Sequence, residues 1–158
     1  MFNDGTVIAI FGAALAALLA GIGSAMGVRA GGVAAAGVVS ENSDIFGKLL
    51  VLQALPGTQG IYGFLTAVLI MVRTGMFSGE IAHLTVAEGW SYFFAAMPIA
   101  IVGLISAIYQ GKVSVAAIHM TAKDPEASGK GVTMTALVET YAILALLVSL
   151  LLLFFACK

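Results

Sequence analysis

Four long apolar stretches separate the few charged residues of this chain and limit the folds open to it. They are Val7–Val28, Leu49–Val72, Trp90–Tyr109 and Val132–Cys157. Each has about 20 residues or more, which at about 1.5 Å per residue crosses a hydrocarbon layer of about 30 Å. With 61% hydrophobic and 9% charged residues, the chain has more apolar surface than one soluble core could enclose. We therefore predict an all-α membrane protein with four transmembrane helices.

The basic residues are distributed unevenly among the connections between these stretches. Five of the seven lie in the segments 29–48 and 112–130, whereas only Arg73 and Lys158 lie on the opposite side. Because basic residues near span ends stay in the cytoplasm, we expect these two loops to be cytoplasmic and both termini to be outside. Met1–Asp4 lacks the basic stretch of a cleavable leader, so the first span should be retained in a multi-pass protein of the plasma membrane.

The chain also contains an internal repeat. A shift of 82 positions without gaps aligns Ser24-Ala25 with Ser106-Ala107 and Gly47-Lys48 with Gly129-Lys130. A unit of two spans returns the chain to its starting side, so the copies should be two tandem, parallel hairpins. The first hairpin covers residues 1–72, an external loop covers 73–89, and the second hairpin covers 90–158.

One acidic residue, Glu139, lies inside the last apolar stretch, where every other residue from Gly131 to Cys157 is uncharged. An ionised carboxylate at the centre of a membrane helix costs about 2.5–3.5 kcal/mol or more. Such a cost predicts a compensating partner, and we expect that partner to be the transported species. Under the repeat Glu139 aligns with Gly57, so the first hairpin has no carboxylate there.

Other polar residues are predicted to reach the depth of Glu139. Leu55, Thr58, Gln59 and Tyr62 share one helical face at i, i+3, i+4 and i+7. Gln110 and Glu139 are about equally far from the Asp124-Pro125 turn, so they should lie at the same height. Pro56 has no N–H for the carbonyl of Leu52, and we expect a kink that loosens nearby backbone oxygens.

These polar groups permit more than one interpretation. Thr58 and Gln59 could simply bond to backbone or to a neighbouring helix, as membrane polar residues often do for about 0.6 kcal/mol each. A proton would need only the carboxylate in an apolar surrounding, whereas a bare cation needs several oxygens in place of its water. Two amides, a hydroxyl and one negative charge favour sodium, since the loaded site would be neutral.

Three segments together resemble the rotor-ring proteolipid, the K or c subunit, of bacterial V-type (V/A-type) sodium-transporting ATPases. They are Leu55-Pro56-Gly57-Thr58-Gln59-Gly60-Ile61-Tyr62-Gly63, Gln110-Gly111-Lys112 and Leu137-Val138-Glu139-Thr140-Tyr141-Ala142. The resemblance extends over nearly the whole chain. It implies that Na⁺ is held by the Leu55 carbonyl, Thr58, Gln59, Gln110 and Glu139, and that Tyr62 bonds to the carboxylate and locks it.

The resemblance also implies partners and a division of labour. The chain would form a homo-oligomeric ring in membrane lipid, turn against a stator subunit that supplies a cation, and contact central-stalk subunits through its cytoplasmic loops. ATP hydrolysis would take place in other subunits, since the chain has no phosphate-binding loop and no catalytic residues are expected. No nucleic acid partner is expected. Small residues every fourth position, at Gly23, Gly27 and Gly31 and at Gly103, Ala107 and Gly111, would form the inner wall of the ring.

Two alternatives to a sodium ring remain open on the sequence. One is a proton-translocating ring of the same family. The other is a structural or pore-forming four-helix membrane protein without a motor.

Overall fold

The computed structural model describes residues 4–79 and 83–157, a set that excludes Lys158 and part of the predicted external loop. Within these residues the chain has no strand and five α-helices. They are α1 (Gly5–Glu41), α2 (Phe46–Ala54), α3 (Thr58–Arg73), α4 (Val86–Lys123) and α5 (Ser128–Phe155). A 3₁₀ turn at Leu55–Gly57 joins α2 to α3, so four helical elements are long and apolar enough to cross a membrane. The prediction of four spans in an all-α chain is confirmed.

The helices are longer than the apolar stretches that predicted them. The expected loops at 29–48 and 112–130 are mostly helical, since α1 continues to Glu41 and α4 to Lys123. Their predicted extent is therefore wrong. A charged residue ends an apolar stretch, but it does not end a helix, because the backbone hydrogen bonds continue past it. The side of the membrane on which these segments lie stays a prediction.

The repeat is visible in the positions of the helix ends. Asn42 accepts from the Asp44 amide at 3.1 Å, and Asp124 accepts from the Glu126 amide at 3.1 Å, so both hairpins turn in the same way. The equivalent boundaries are Glu41 and Lys123, Phe46 and Ser128, and Arg73 and Phe155, each pair 82 positions apart. The two hairpins are therefore structural copies, as predicted from the sequence.

The long helices α1 and α4 pack closely against each other at their glycines. A Cβ added to Gly23 would lie 2.5 Å from the carbonyl oxygen of Leu104, and one added to Gly27 would lie 2.5 Å from that of Ala107. No larger residue fits at either position without moving a backbone. The helices α2, α3 and α5 lie against this central pair and carry most of the exposed apolar side chains.

Candidate functional site

The site begins at the break between α2 and α3, where Pro56 interrupts the helical hydrogen bonds. Proline has no N–H to give to Leu52, and the Leu52 carbonyl instead accepts from the Ser114 hydroxyl of α4 at 2.6 Å. On the other side of the break, the Gly60 amide donates to the Ser24 hydroxyl of α1 at 2.8 Å. Serines from the two central helices therefore stabilise backbone groups that would otherwise be left unpaired in an apolar setting.

Three oxygens meet at the start of α3. The Thr58 hydroxyl donates to the Leu55 carbonyl at 3.0 Å and lies 3.4 Å from Oε1 of Gln59. The 3₁₀ turn makes this possible, because it places the Leu55 carbonyl beside the side chain three residues later. A carbonyl, a hydroxyl and an amide oxygen are all ligands suited to a hard cation.

A second pair of amides extends this group across the interface between the hairpins. Gln59 and Gln110 are both fully buried. Nε2 of Gln59 donates to Oε1 of Gln110, and Nε2 of Gln110 donates to the Thr135 carbonyl of α5 at 3.2 Å. The network therefore joins α3, α4 and α5 in one layer.

Glu139 lies one helical turn beyond Thr135 on α5 and is only partly buried. Its Oε1 accepts from the Tyr62 hydroxyl at 2.5 Å, and Tyr62 lies one turn beyond Thr58 on α3. Within residues 4–79 and 83–157, Glu139 has no hydrogen bond to either glutamine. The structure thus brings Leu55, Thr58, Gln59 and Gln110 together, and it places the carboxylate one turn away, held by Tyr62.

No basic side chain of the described residues neutralises this carboxylate. The one ion pair among them joins Lys48 and Glu126, with Nζ 3.1 Å from Oε1, at the hairpin turns. The described part of the chain also contains no cluster of three His, Cys, Asp or Glu residues that could hold a metal ion. The charge is therefore accompanied by neutral oxygens only, which suits a monovalent cation or a proton better than a divalent ion.

Sequence reasoning missed Ser24, Ser114 and the Thr135 carbonyl. Ser24 aligns with Ser106 in the repeat, which made it resemble a repeated packing residue. Ser114 aligns with Gly32 and so occurs only in the second hairpin, a difference that could have marked it as a partner for the Pro56 break.

Comparison with known proteins gives consistent matches. The family model for the C subunit of ATP synthase matches residues 11–70 and 93–152, two segments whose boundaries differ by 82 positions. The V-type sodium ATPase subunit K of Enterococcus hirae is 45% identical over 150 residues, which cover 95% of this chain and 92% of that protein. The A-type ATP synthase subunit K of Methanocaldococcus jannaschii is 42% identical over 146 residues, which cover 90% of this chain and 61% of that protein.

Proposed function

The chain belongs to the family of ATP synthase C subunits, and on that premise we propose that it is the sodium-carrying ring subunit of a V-type ATPase. It would bind Na⁺ within the membrane and carry it by rotation of the ring, which ATP hydrolysis in other subunits drives. The name of the Enterococcus hirae relative supports sodium as the ion. The observation that carries the proposal is the group of neutral oxygens beside a single membrane carboxylate.

Binding would need a small rearrangement of the described side chains. The oxygens of Leu55, Thr58, Gln59 and Gln110 would supply the neutral ligands, and Glu139 would turn toward them while Tyr62 keeps its hydrogen bond to the carboxylate. Those oxygens replace the water that a bare cation loses. The bound ion cancels the charge on Glu139, so the loaded site is neutral and can face lipid.

The charge on Glu139 also couples the rotation of the ring to the occupancy of the ion site. An empty Glu139 is an anion, and it should stay near an aqueous path or near a cation, such as an arginine, on the stator subunit. Because only one of the two hairpins carries a carboxylate inside an apolar stretch, each chain moves one ion for four spans. Fewer ions then share the torque of the ring, and each can be driven against a steeper gradient.

The plasma membrane location, with both termini outside, is part of this proposal. The segments 29–48 and 112–130 would then lie in the cytoplasm and contact the central stalk. The basic residues of these segments support that orientation.

A proton is the competing cargo, and one observation is compatible with it. Glu139 bonds to Tyr62 and not to the glutamines, an arrangement that a protonated carboxyl could also adopt. Labelling of purified rings by a carbodiimide, which reacts with the protonated carboxyl, separates the two ions. Under the sodium proposal Na⁺ protects Glu139 from labelling and K⁺ does not. Equal labelling in both salts would instead indicate that the ring carries protons. Purification without any other ATPase subunit would instead favour a structural or pore-forming protein.

A further inference from the structure

The helix α3 begins in the middle of the second span, and its first turn carries two of the proposed sodium ligands, Thr58 and Gln59. It starts at Thr58, directly after the 3₁₀ turn at Leu55–Gly57. The first four amides of an α-helix have no acceptor within that helix. In an apolar setting an amide that stays unpaired is costly, since no water replaces the missing acceptor. These amides therefore need acceptors from outside α3.

One of these acceptors comes from α1. The residue just before α3 is Gly57, which has no side chain to accept a hydrogen bond. The amide of Gly60, the third residue of α3, donates instead to Oγ of Ser24 at 2.8 Å. This is one of the amides that a serine at the start of a helix ordinarily accepts from. Ser24 is therefore a helix cap that a neighbouring helix supplies.

Close packing of α1 against the break supports this cap. A Cβ added to Gly60 would lie 3.2 Å from both Cβ and Oγ of Ser24, and one added to Gly27 would lie 2.6 Å from Cβ of Pro56. α1 thus contacts both the break and the first turn of α3, although it carries none of the proposed ligands. Because Gln59 directly precedes Gly60, the hydrogen bond to Ser24 fixes the backbone to which this ligand is attached.

We propose that Ser24 is a positioning residue of the sodium site and contributes to a preference for Na⁺ over the smaller Li⁺. This inference rests on the proposed sodium function. Without the hydroxyl, the Gly60 amide would turn toward a carbonyl of the preceding turn, because a buried amide needs a partner. That movement shifts the backbone between Leu55 and Gln59 and changes the spacing of the neutral oxygens. Oxygens held at a fixed spacing discriminate between ions of different size, and oxygens that can relax do so less well.

The repeat supplies a matched control for this serine. Ser106 is equivalent to Ser24 and is buried to the same degree, at 6% exposed against 7%. The equivalent of Gly60 is Ala142, which lies inside the continuous helix α5, where amides bond to carbonyls of the same helix. The Ser106 hydroxyl donates to the Gly103 carbonyl of its own helix instead. Ser106→Ala thus removes a buried hydroxyl without changing the break.

Ion competition with carbodiimide labelling of Glu139, titrated with Na⁺ and with Li⁺ on intact purified rings, tests the proposal. We expect Ser24→Ala to lower the ratio of Na⁺ affinity to Li⁺ affinity by about threefold or more, the scale on which loss of a helix cap acts. Ser106→Ala should keep the wild-type ratio. A general loss of stability weakens both ions alike, so an unchanged ratio in Ser24→Ala, or an equal change in Ser106→Ala, overturns the positioning role. Wild-type rings that Na⁺ does not protect would instead remove the sodium proposal itself.

Hydrogen exchange gives a second readout that needs no bound ion. In sodium-free rings, residues 55–61 should exchange faster in Ser24→Ala than in the wild type or in Ser106→Ala, because the Gly60 amide has lost its acceptor. Equal exchange in all three would show that Ser24 does not cap α3. If Ser24→Ala rings do not assemble, Ser24→Cys keeps a weaker acceptor and should show both effects to a smaller extent. Wild-type values in Ser24→Cys would then overturn the proposal.

Discussion

The two hairpins have the same turns and equivalent helix ends, yet only the second carries a carboxylate inside an apolar stretch, and only the first has an interrupted span. In the first hairpin Pro56 divides the second span into α2 and α3, and the Leu55 carbonyl at this break accepts from the Thr58 hydroxyl. In the second hairpin α5 runs unbroken from Ser128 to Phe155 with Glu139 near its middle. Of the candidate site, the first copy carries Leu55, Thr58 and Gln59, and the second carries Gln110 and the carboxylate of Glu139.

The central helices differ in a corresponding way. Ser24 and Ser114 both bond to backbone groups beside the Pro56 break. The equivalent of Ser24 is Ser106, which bonds to the Gly103 carbonyl of its own helix, and the equivalent of Ser114 is Gly32. The two copies therefore carry different polar residues, and the candidate site lies where they meet.

The largest effect should come from removing the charge. We expect Glu139→Gln to abolish sodium transport and the sodium dependence of ATP hydrolysis, because the site then cannot neutralise a bound cation. Sodium uptake by vesicles containing the whole ATPase measures this. Glu126→Gln, at the exposed turn, is the control and should keep transport. Substantial sodium uptake by the Glu139→Gln variant would show that transport does not require this carboxylate.

Moving the carboxylate to the first hairpin tests whether a carboxylate alone is sufficient for sodium transport. A Cβ at Gly57 meets only Val28, at 3.5 Å, so Gly57→Glu has room at the backbone. In the Glu139→Gln background we expect it to restore no transport, since Val28 stands where Gln110 would be needed. Glu139→Asp, which keeps an acid in the second hairpin, should retain part of the sodium transport. Recovery by Gly57→Glu would show that the neutral oxygens are dispensable.

Loss of one neutral oxygen should weaken binding without abolishing it. We expect Gln110→Ala to lower sodium affinity by roughly 10–100-fold, which corresponds to about 1.5–3 kcal/mol for a contact to a charged group. Competition with carbodiimide labelling measures the affinity. The matched control is Gln53→Ala, a glutamine of α2 outside this network. An unchanged affinity in Gln110→Ala would exclude this amide as a ligand.

The serine beside the break should affect stability more than binding. Ser114→Ala leaves the buried Leu52 carbonyl without its partner, at a cost of about 1–3 kcal/mol. Thermal unfolding of purified rings in detergent should occur at a lower temperature. Ser91→Ala is the control, because that exposed hydroxyl bonds only to Ala87 of its own helix. Equal unfolding temperatures for both variants would mean that the break does not depend on Ser114.

The smallest effect is expected for Tyr62→Phe, which removes the hydrogen bond to Glu139 but no ion ligand. We expect a loss in sodium affinity of roughly fivefold, from about 1 kcal/mol, together with faster exchange of the bound ion. The exchange rate of radioactive sodium measures the second effect. Exchange as slow as in the wild-type ring would remove the locking role of Tyr62.

The sequence predicted the number of membrane spans, the repeat and the face of α3 that carries Thr58, Gln59 and Tyr62. These depend on apolar length and on helical spacing, which are local properties. It did not predict that α1 continues to Glu41, because the helix extends beyond the end of the apolar stretch that indicated it. Nor did it predict Ser114 as the partner of Leu52, since 62 residues separate them and only packing brings them together.

Radioactive sodium bound to purified wild-type rings, counted per chain at saturation, tests most directly whether the two hairpins share one site. We expect one sodium ion per chain, lost in Glu139→Gln and retained in Glu126→Gln. Two ions per chain would give the first hairpin a site of its own, and saturable binding that survives Glu139→Gln would place the ion elsewhere.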